Sequence, residues 1–596
     1  MRIRRYGART TLRAALSVVA VMMVGQVVAA PGDLDLTFGA GTGVVFAAPI
    51  DSDSTLASSV RRPDGRFVVA GDCGQGMTRR FCLSARLADG SPDTSFNGSG
   101  VVTTAMSTVG TWDSGLALAL QNDGKLLLTG SCTSTNGSDF CVARYNVDGS
   151  LDGSFGTGGK RIFDFGLSVN SDASRSMFLQ ADGRIVLVGN CEGQRSFCLA
   201  RLLPNGQLDT SFNQTGLVRT DVSNDFDAGQ SGVALADGRI VVGGFCRVDS
   251  SQIFTGWDFC LARYGVDGTL DTSFGSHGFV FTPVGNGRDE LYRLRLLADG
   301  KLLAVGRCDA PPTAGGDYDD ALCAVRYLPD GTVDSTFGNN GRVMLNVAPE
   351  FLLGGVDLYP DGRVLVSGAC RDRRDGATTC APSWGWGQFV LLRLTANGAL
   401  DPSFASAGKR VFSLGHYSNY RYPSDVMLLP DGKILFSGSC AVGNTGDANP
   451  NGSVFCFARF QGEALPPVCL LDLDGSGQSA LTTDALLHLR YALAVPPAVR
   501  MNGIVLPLSS PRRSLAAIDT HLRSLCPASA PSCALDLDGD GIDGAATDAL
   551  IHARLAAGWR DARVLDGITL PANAARRDWA TLRPWLQDHC GVSGLH

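Results

Sequence analysis

The sequence has few of the features on which enzymes, membrane proteins and nucleic-acid-binding proteins depend. Only 7 of its 596 residues are histidine, 18% are charged, and the net charge is −7. No block of basic residues follows residue 13, so a positive face for phosphates is missing and we expect no nucleic-acid partner. After the N-terminal segment no run reaches 18 apolar residues, so we expect no membrane span in the mature chain.

Recognisable catalytic motifs are also missing. The repeat region described below has two histidines, His277 and His416, and neither lies in an HExxH, GxSxG or similar frame. No glycine-rich phosphate loop follows a strand and opens a helix. We therefore expect a protein that is not an enzyme. A hydrolase or lyase acting on polysaccharide is the alternative, because acidic loop residues are plentiful and a sequence does not give the separation of two carboxylates.

The first thirty residues are typical of a signal peptide. Five arginines precede an apolar run from Ala14 to Val28, and small residues permit cleavage after Ala29. We expect residues 1–30 to be this signal and the mature protein to be secreted, periplasmic or held at the cell surface. Such compartments are oxidising, so disulfides are the expected state of the 18 cysteines.

What the sequence does contain is one unit of about 60 residues, repeated seven times between residues 31 and 460. The first marker is the string LDxSFG and its variants, whose phenylalanines are Phe38, Phe96, Phe155, Phe212, Phe274, Phe337 and Phe404. The second marker is an Asp-Gly dipeptide between two apolar runs, with its glycine at Gly65, Gly124, Gly183, Gly238, Gly300, Gly362 and Gly432. The two markers alternate strictly.

Each unit predicts four short strands. In the second unit these are the runs GVVTTAM, LALALQ, KLLLTGSC and DFCVARY, separated by Gly, Asn and Asp. The Asp-Gly dipeptide between the second and third runs predicts a tight hairpin with a primed turn. Seven such units predict a mainly β protein with a seven-bladed β-propeller of four-stranded blades. A β-solenoid is the alternative, although its coils are usually shorter.

These markers resemble the Delta-60 repeat family, which occurs mainly in exported bacterial proteins. The resemblance rests on LDxSFGxxG, a QxDGK-type hairpin and ARYxxDGxLD, and it covers residues 31–460. It implies a bacterial exported protein and a repeat architecture, and it implies no particular activity.

Fourteen of the cysteines fall two per unit. The first usually follows a glycine at the end of the third strand, and the second usually starts the fourth strand. Adjacent antiparallel strands place such positions within disulfide reach. We expect the bridges Cys73–Cys82, Cys132–Cys141, Cys191–Cys198, Cys246–Cys260, Cys308–Cys323, Cys370–Cys380 and Cys440–Cys456. Zinc is the alternative, but no unit has a CxxC or Cys/His cluster. The sixth unit departs, since Val390 takes the strand position and Cys380 lies in the loop.

Charged residues also recur in the units. An arginine follows three residues after the second cysteine position at Arg144, Arg201, Arg263, Arg326, Arg393 and Arg459. The aspartate of LDxSF recurs at Asp35, Asp93, Asp152, Asp209, Asp271, Asp334 and Asp401. Arg86 of the first unit is displaced by one residue, which points it to the other side of its strand. A charged channel is one interpretation, but a residue required in every blade favours structural ion pairs or turn caps.

Aromatic residues cluster on one predicted face. Propeller connections alternate between two faces, and the Asp-Gly turns belong to one while the loops between paired cysteines belong to the other. The candidate ligand-binding residues lie on this second face and are Trp112, Trp257, Trp384, Trp386, Tyr417 and Tyr420. Exposed rings on a rigid scaffold bind sugars, peptides or proteins, so a glycan or a cell-surface protein is the expected partner. The alternative is that each ring packs under its own loop.

After a linker at 461–468 the periodicity becomes helical, and residues 469–596 contain a tandem duplication. Residues 469–526 align with residues 533–590 at an offset of 64 without a gap. Each half begins and ends with a cysteine, which predicts the bridges Cys469–Cys526 and Cys533–Cys590. We expect His488 and His552, at equivalent positions of the two halves, to lie on helix surfaces.

Each half also has an acidic loop with oxygen atoms at alternate positions, the donors that calcium prefers. The candidate ligands are Asp472, Asp474, Ser476, the Gln478 carbonyl and Asp484 in the first half, and Asp536, Asp538, Asp540, the Ile542 carbonyl and Asp548 in the second. The duplication resembles type I dockerins, although the closing aspartate comes at loop position 13 where that family uses 12. The resemblance implies a small α-helical domain with calcium as cofactor and a cohesin-like scaffold as partner. A calcium-dependent folding cap and a solvated acidic turn are the alternatives.

Overall fold

The computed structural model describes most of residues 29–463 and a few residues beyond them. The described ranges are 29–47, 53–62, 64–76, 78–107, 111–135, 137–165, 170–180, 182–223, 225–247, 256–285, 287–310, 319–348, 350–371, 380, 388–414, 425–441, 453–463, 488, 548–556, 565 and 580–582. The predicted signal peptide, most of the linker and nearly all of the C-terminal duplication lie outside them.

Short strands make up the repeat region, which begins with a short 3-10 helix at Gly39–Gly41. In chain order the strands are β1 (Val44–Phe46), β2 (Ser54–Arg61), β3 (Phe67–Cys73), β4 (Thr78–Arg86), β5 (Val101–Thr104), β6 (Thr111–Trp112), β7 (Ser114–Leu120), β8 (Leu126–Ser134), β9 (Gly137–Tyr145), β10 (Lys160–Phe163), β11 (Asn170–Ser171), β12 (Ala173–Leu179), β13 (Ile185–Cys191), β14 (Ser196–Leu202), β15 (Leu217–Thr220), β16 (Asp227–Ala234), β17 (Ile240–Arg247), β18 (Trp257–Tyr264), β19 (Phe279–Thr282), β20 (Asp289–Leu296), β21 (Leu302–Ala310), β22 (Asp319–Tyr327), β23 (Arg342–Leu345), β24 (Glu350–Leu358), β25 (Val364–Arg371), β26 (Gln388–Leu394), β27 (Lys409–Phe412), β28 (Asp425–Leu428), β29 (Ile434–Ala441) and β30 (Ser453–Phe460).

The strands form seven antiparallel sheets, which confirms the seven-bladed propeller. Blades 1 to 6 are β2–β5, β7–β10, β12–β15, β16–β19, β20–β23 and β24–β27, each with its first strand innermost. Blade 7 has the order β28-β29-β30-β1, so its outermost strand comes from the N-terminal end of the repeat region. The short strands β6 and β11 add parallel pairs to β4 and β9.

The assignment of strands to blades differs from the one suggested by the repeat unit. The run after each LDxSFG motif was expected to be the first strand of its own unit. In the structure it is the outermost strand of the preceding blade, as β5 shows by pairing with β4. The LDxSF segment is too tight to carry the chain to a new blade, because Phe96 N already donates to Asp93 O over 3.0 Å. Each blade therefore spans two sequence units.

The Asp-Gly hairpins are tight, but their turns are not of the primed type. In blade 2 Gly124 N donates to Gln121 O and Gln121 N donates to Lys125 O, over 2.9 and 2.8 Å. Only the glycine has a positive φ, of 83°. This is a three-residue loop with a bulge at glycine, which also matches strand twist. The aspartate instead accepts a hydrogen bond from the amide of the residue after glycine, as Asp123 does from Lys125 over 3.1 Å.

Hydrophobic clusters fill the interfaces between neighbouring blades, one at each interface. The phenylalanine of every LDxSF motif is at most 1% exposed. Full burial of such a ring contributes about 1.5–3 kcal/mol, which explains why each unit carries one.

All seven predicted blade disulfides are present, including Cys370–Cys380 in the departing sixth unit. Each joins the second strand of its blade to the third strand or to the loop between them. We call the side of the propeller that carries these loops the loop face, and the side that carries the Asp-Gly turns and LDxSF segments the turn face.

A β-bulge interrupts the innermost strand of each of blades 1 to 6. In blade 2 the register shifts between Gly115 and Ala117, opposite Gly130. A Cβ atom on Gly130 would lie 1.8 Å from Ser114 O, so glycine is required there. A bulge turns a side chain in a new direction, and here it changes which residues of the innermost strands reach the propeller axis.

In the C-terminal region the structure describes one helix, α1 (Asp548–Ala556), and a short helical segment at 580–582. The helix α1 starts at the predicted closing ligand of the second acidic loop. The rest of the predicted helical domain lies outside the described residues. No helix in the described part of the chain is long and apolar enough to cross a membrane.

Candidate functional site

The repeated arginines and aspartates form ion pairs within each blade on the turn face, and five of these six arginines also donate to a carbonyl of the next blade. In blade 2 Arg144 Nε donates to Asp152 Oδ2 over 2.8 Å, and the guanidinium lies 4.6 Å from the ring centroid of Phe155. Its Nη1 donates to the Pro204 carbonyl of blade 3. The same ion pair recurs as Arg201–Asp209, Arg263–Asp271, Arg326–Asp334, Arg393–Asp401 and Arg459–Asp35. The structural interpretation of this ring is therefore supported.

A second cation binds each of these aspartates, and sequence analysis missed it. Lys125, directly after the Asp-Gly dipeptide of blade 2, places Nζ 2.9 Å from Asp152 Oδ2. Burial raises the pKa of Asp152, but hydrogen bonds from Ser154 and Lys125 and the charge of Arg144 outweigh it and hold the pKa well below its usual value. The equivalent contacts are Arg66–Asp93, Arg184–Asp209, Arg239–Asp271, Lys301–Asp334, Arg363–Asp401 and Lys433–Asp35. The sequence contains a signal for this second cation, because a basic residue directly follows all seven Asp-Gly dipeptides.

In blade 1 a different arginine makes the contact with the next blade. The displaced Arg86 lies on the other side of its strand, 5.4 Å from the ring centroid of Phe457 in blade 7. Arg62 takes over the contact with the next blade, donating to the Val147 carbonyl over 3.0 Å while lying 5.6 Å from the Phe96 ring. The link between blades is thus kept although the sequence position of the arginine changes.

Buried aspartates fix the connections of the loop face. Each lies at the start of an innermost strand, opposite the first cysteine of its blade, and accepts backbone amides. The contacts are Asp113 with Met106 N, Asp172 with Glu192 N, Asp227 with Val222 N, and Asp289 with Val284 N, at 2.6–3.0 Å. Burial raises the pKa of Asp172 to about 6 and that of Asp289 to about 7, since a desolvated carboxylate is disfavoured. These residues make the loop face rigid at its base.

Two of the candidate aromatic residues are described, and their surroundings differ. Trp112 is 52% exposed, and the Arg79 guanidinium lies 5.4 Å from its ring centroid. Trp257 instead stacks on Phe226 and Phe245, with centroids 5.1 and 5.5 Å away. Trp257 is therefore packed within its own loop region, whereas Trp112 is exposed. The candidates Trp384, Trp386, Tyr417 and Tyr420 lie outside the described residues.

An ion pair positions Arg79, the residue on which Trp112 packs. Arg79 Nη1 lies 3.4 Å from Asp72 Oδ2, and strand β6, which carries Trp112, pairs in parallel with Arg79 and its neighbour on β4. Burial raises the pKa of Asp72 to about 7, and the nearby Arg79 only partly offsets this. The exposed indole of Trp112 thus lies on a short strand that pairs with Arg79, and Arg79 forms an ion pair with the buried Asp72.

An axial cavity of about 290 Å³ is enclosed by the innermost strands of all seven blades. Its charged lining residues are Arg175, Arg293, Arg295, Asp357 and Asp425. Arg175 sits on the bulge of blade 3, so its side chain reaches the axis because of that irregularity. Burial lowers the pKa of all three arginines and raises that of Asp357. Sequence analysis missed this cavity because the repeat pattern does not reveal bulges.

The C-terminal histidines correct one expectation. His488 and His552 were expected on helix surfaces, but both are fully buried, and their Nδ1 atoms lie 3.0 Å apart. Equivalent positions of the two halves therefore contact each other. Of the candidate calcium ligands the structure describes Asp548, at the start of α1, and the others lie outside the described residues, as do the cysteines of both halves.

Comparison with known families supports the repeat assignment. A family described as a domain of unknown function (DUF5122) beta-propeller matches residues 121–155, 180–212, 235–274 and 385–404. The matched family belongs to the Delta-60 repeat type of propeller. No curated protein shows significant sequence similarity to the chain.

Several solved structures are similar to part of the chain at low identity and low TM-score. The polysaccharide lyase Uly1 is 10% identical with a TM-score of 0.37, over 70% of this chain and 91% of the lyase. Sqt1 of Chaetomium thermophilum, bound to the N-terminus of ribosomal protein L10, is 12% identical with a TM-score of 0.34, over 70% of this chain and 98% of Sqt1. The GH93 α-L-arabinofuranosidase of Fusarium graminearum is 10% identical with a TM-score of 0.32, over 58% and 92% of the two chains.

Proposed function

We propose that this is a secreted, non-enzymatic recognition protein that binds a glycan or a cell-surface protein through the loop face of its propeller. The observation that carries the proposal is Trp112, an indole 52% exposed above the guanidinium of Arg79. The flat apolar face of an indole that packs on a guanidinium group can bind the face of a sugar ring or an apolar side chain of a partner. Seven disulfides and the absence of a spanning helix among the described residues support an extracellular location.

The rigidity of the loop face supports binding over catalysis. Four of the buried carboxylates with raised pKa values accept backbone amides and so have a structural task, namely Asp113, Asp172, Asp227 and Asp289. A general acid needs a carboxyl group that can reach a substrate. We therefore expect binding without turnover.

A glycan array with the mature full-length protein tests this proposal. Trp112→Ala should lose binding, and Leu36→Ala is the matched control, because Leu36 is an apolar side chain 61% exposed in a turn-face segment. Equal binding by the two variants would contradict a role for Trp112. Release of soluble products from a bound polysaccharide would overturn the non-enzymatic assignment and favour the hydrolase or lyase.

We further propose that the C-terminal duplication binds calcium and acts as a dockerin-like anchor or a folding cap. The start of α1 at Asp548 supports a loop-then-helix arrangement in the second half, and the contact of His488 with His552 supports packing of the two halves through equivalent positions. Capture of a cohesin-like scaffold protein by the wild type, and its loss on Asp536→Ala, would support anchoring. Loss of thermal stability without loss of a partner would support the cap.

A further inference from the structure

We propose that the axial cavity binds a small ligand through an oxyanion, either a carboxylate or a phosphate group. Three guanidinium groups, from Arg175, Arg293 and Arg295, and two carboxylates, from Asp357 and Asp425, line this space. Three positive minus two negative charges leave an excess of one positive charge. The inference goes beyond the proposed function, because the cavity lies at the propeller axis and does not include Trp112.

The two carboxylates of the cavity accept hydrogen bonds from neighbouring strands, and they act on Arg293 and Arg295 only through their charge, without a direct contact. Asp425 Oδ2 accepts hydrogen bonds from Ser59 N and Ser59 Oγ, both over 2.7 Å. Asp357 Oδ2 accepts one from Leu428 N over 2.7 Å. Among the described residues no guanidinium of the cavity forms a salt bridge with a carboxylate. An anion in the cavity would offset the excess positive charge, so its binding should also stabilise the fold.

Two of the arginines have guanidinium donors that are not used within the described part of the chain. Arg175 Nε lies 3.4 Å from the Asn190 side-chain oxygen, and Arg293 Nη1 lies 3.2 Å from the Tyr292 carbonyl. Their other guanidinium nitrogens make no hydrogen bond within the described part of the chain. A guanidinium presents parallel N–H groups that match the two oxygens of a carboxylate or phosphate.

Arg295 has a different task from the other two. Its Nε and Nη2 both donate to the Val356 carbonyl, over 3.1 and 2.8 Å, and its Nη1 donates to the Leu294 carbonyl over 3.1 Å. It therefore ties blade 5 to blade 6 and contributes charge more than hydrogen bonds. The oxyanion is therefore expected at the guanidinium group of Arg175 or of Arg293.

The cavity is large enough for a small ligand. Its volume is about 290 Å³, and one water molecule needs only about 10–15 Å³ of such space. Inorganic phosphate or one sugar acid therefore fits. Ser58, Ser176 and Gln230 also line the cavity and can bind hydroxyl groups of such a ligand.

Isothermal titration calorimetry on the mature full-length protein at low ionic strength tests the inference. Inorganic phosphate, glucuronate and glucose are the probes. We expect saturable binding of one oxyanion ligand per chain and no binding of glucose. Tighter binding of glucuronate would identify a sugar acid as the natural ligand type, and tighter binding of phosphate would identify a phosphate group.

Arg293→Gln should weaken oxyanion binding at least about tenfold, the scale of one charge-assisted hydrogen bond. Arg219→Gln is the matched control, because Arg219 lies on the outermost strand of blade 3, is 49% exposed and pairs with Glu192. No saturable binding of either oxyanion, or equal affinity in Arg293→Gln and the control, would overturn the inference.

A second measurement does not depend on a variant that folds. Crystals of the wild-type protein soaked in selenate should show anomalous density inside the axial cavity, at the guanidinium group of Arg175 or of Arg293. Selenate bound only on the outer surface would refute the assignment. Because Arg293→Gln leaves Trp112 untouched, glycan binding in that variant separates failure of this inference from failure of the proposed function.

Discussion

Closure of the ring depends on one buried carboxylate, and its removal gives a strong test of the structure. Asp35 is fully buried, and its Oδ2 accepts hydrogen bonds from Arg459 Nε and Lys433 Nζ over 2.6 and 3.0 Å. Its Oδ1 accepts from Thr37 Oγ1 over 2.7 Å and from Gln461 over 3.1 Å. The variant Asp35→Ala removes all of these acceptors and leaves two cations without their carboxylate.

The expected cost follows from the burial of the pair. The Arg459 side chain is 11% exposed, and removal of one partner from a buried ion pair costs about 3–5 kcal/mol. Unfolding entropy of about 2.1 cal/mol/K per residue implies roughly 0.9 kcal/mol per degree for a propeller of this length. The melting temperature should therefore fall by about 3–6 °C.

Hydrogen exchange locates the effect, and Asp152→Ala is the matched control. Asp152 makes the same contacts with Arg144, Lys125 and Ser154, but it lies inside the chain rather than at the closure. Asp35→Ala should raise exchange in strands β1 and β30 selectively, while Asp152→Ala should leave them protected. Equal protection of β30 in the two variants would refute the reasoning, since it would show that the β1–β30 ladder alone holds the ring closed.

Three further predictions concern other parts of the molecule. Arg62→Ala should cost about 1.5–3 kcal/mol in thermal unfolding, less than Arg144→Ala, because both arginines donate to the next blade but Arg144 also forms an ion pair with Asp152; an unchanged melting temperature would contradict that role. Folding raises the pKa of Asp172 to about 6 and of Asp289 to about 7, so their ionisation opposes folding as pH rises from about 4 to 7, by about 1.4 kcal/mol for each pKa unit. Stability should therefore decrease from pH 4 to pH 7 and level off above that, and Asp289→Asn should flatten this profile in calorimetry; an unchanged slope would exclude Asp289 as its cause. EDTA should lower the melting temperature of the C-terminal region and leave that of the propeller unchanged, with no further effect of EDTA in Asp536→Ala, whereas an EDTA effect of equal size in that variant would argue against calcium in the second loop.

The repeat markers were sufficient to predict the blade number and the seven bridges, because both depend on residues that recur at fixed spacing. Strand membership was wrong by one strand, since the sequence unit starts at a marker and a blade starts at its innermost strand, such as β7 after Asp113. The turn type was also wrong: Asp123 and its equivalents keep negative φ, and only the glycine needs the left-handed region.

The candidate site was predicted less well, for physical reasons that differ between its parts. Trp112 and Trp257 have similar sequence surroundings, and their exposure is decided by whether partners such as Phe226 and Phe245 lie alongside. The axial arginines belong to no repeat position, and a bulge brings Arg175 to the axis. A bulge is a backbone irregularity that leaves little trace in hydropathy.

Pairing of β1 with β30 also has a consequence for the order of folding. Contacts such as Arg459 with Asp35 join residues 424 positions apart. During synthesis from the N-terminus the blades can form one after another, but the last blade has only three strands and an unpaired edge until the first segment returns. Such an edge can pair with another chain. The time between completion of blade 7 and return of residues 31–47 is therefore the period in which two copies of the protein can exchange their first strands.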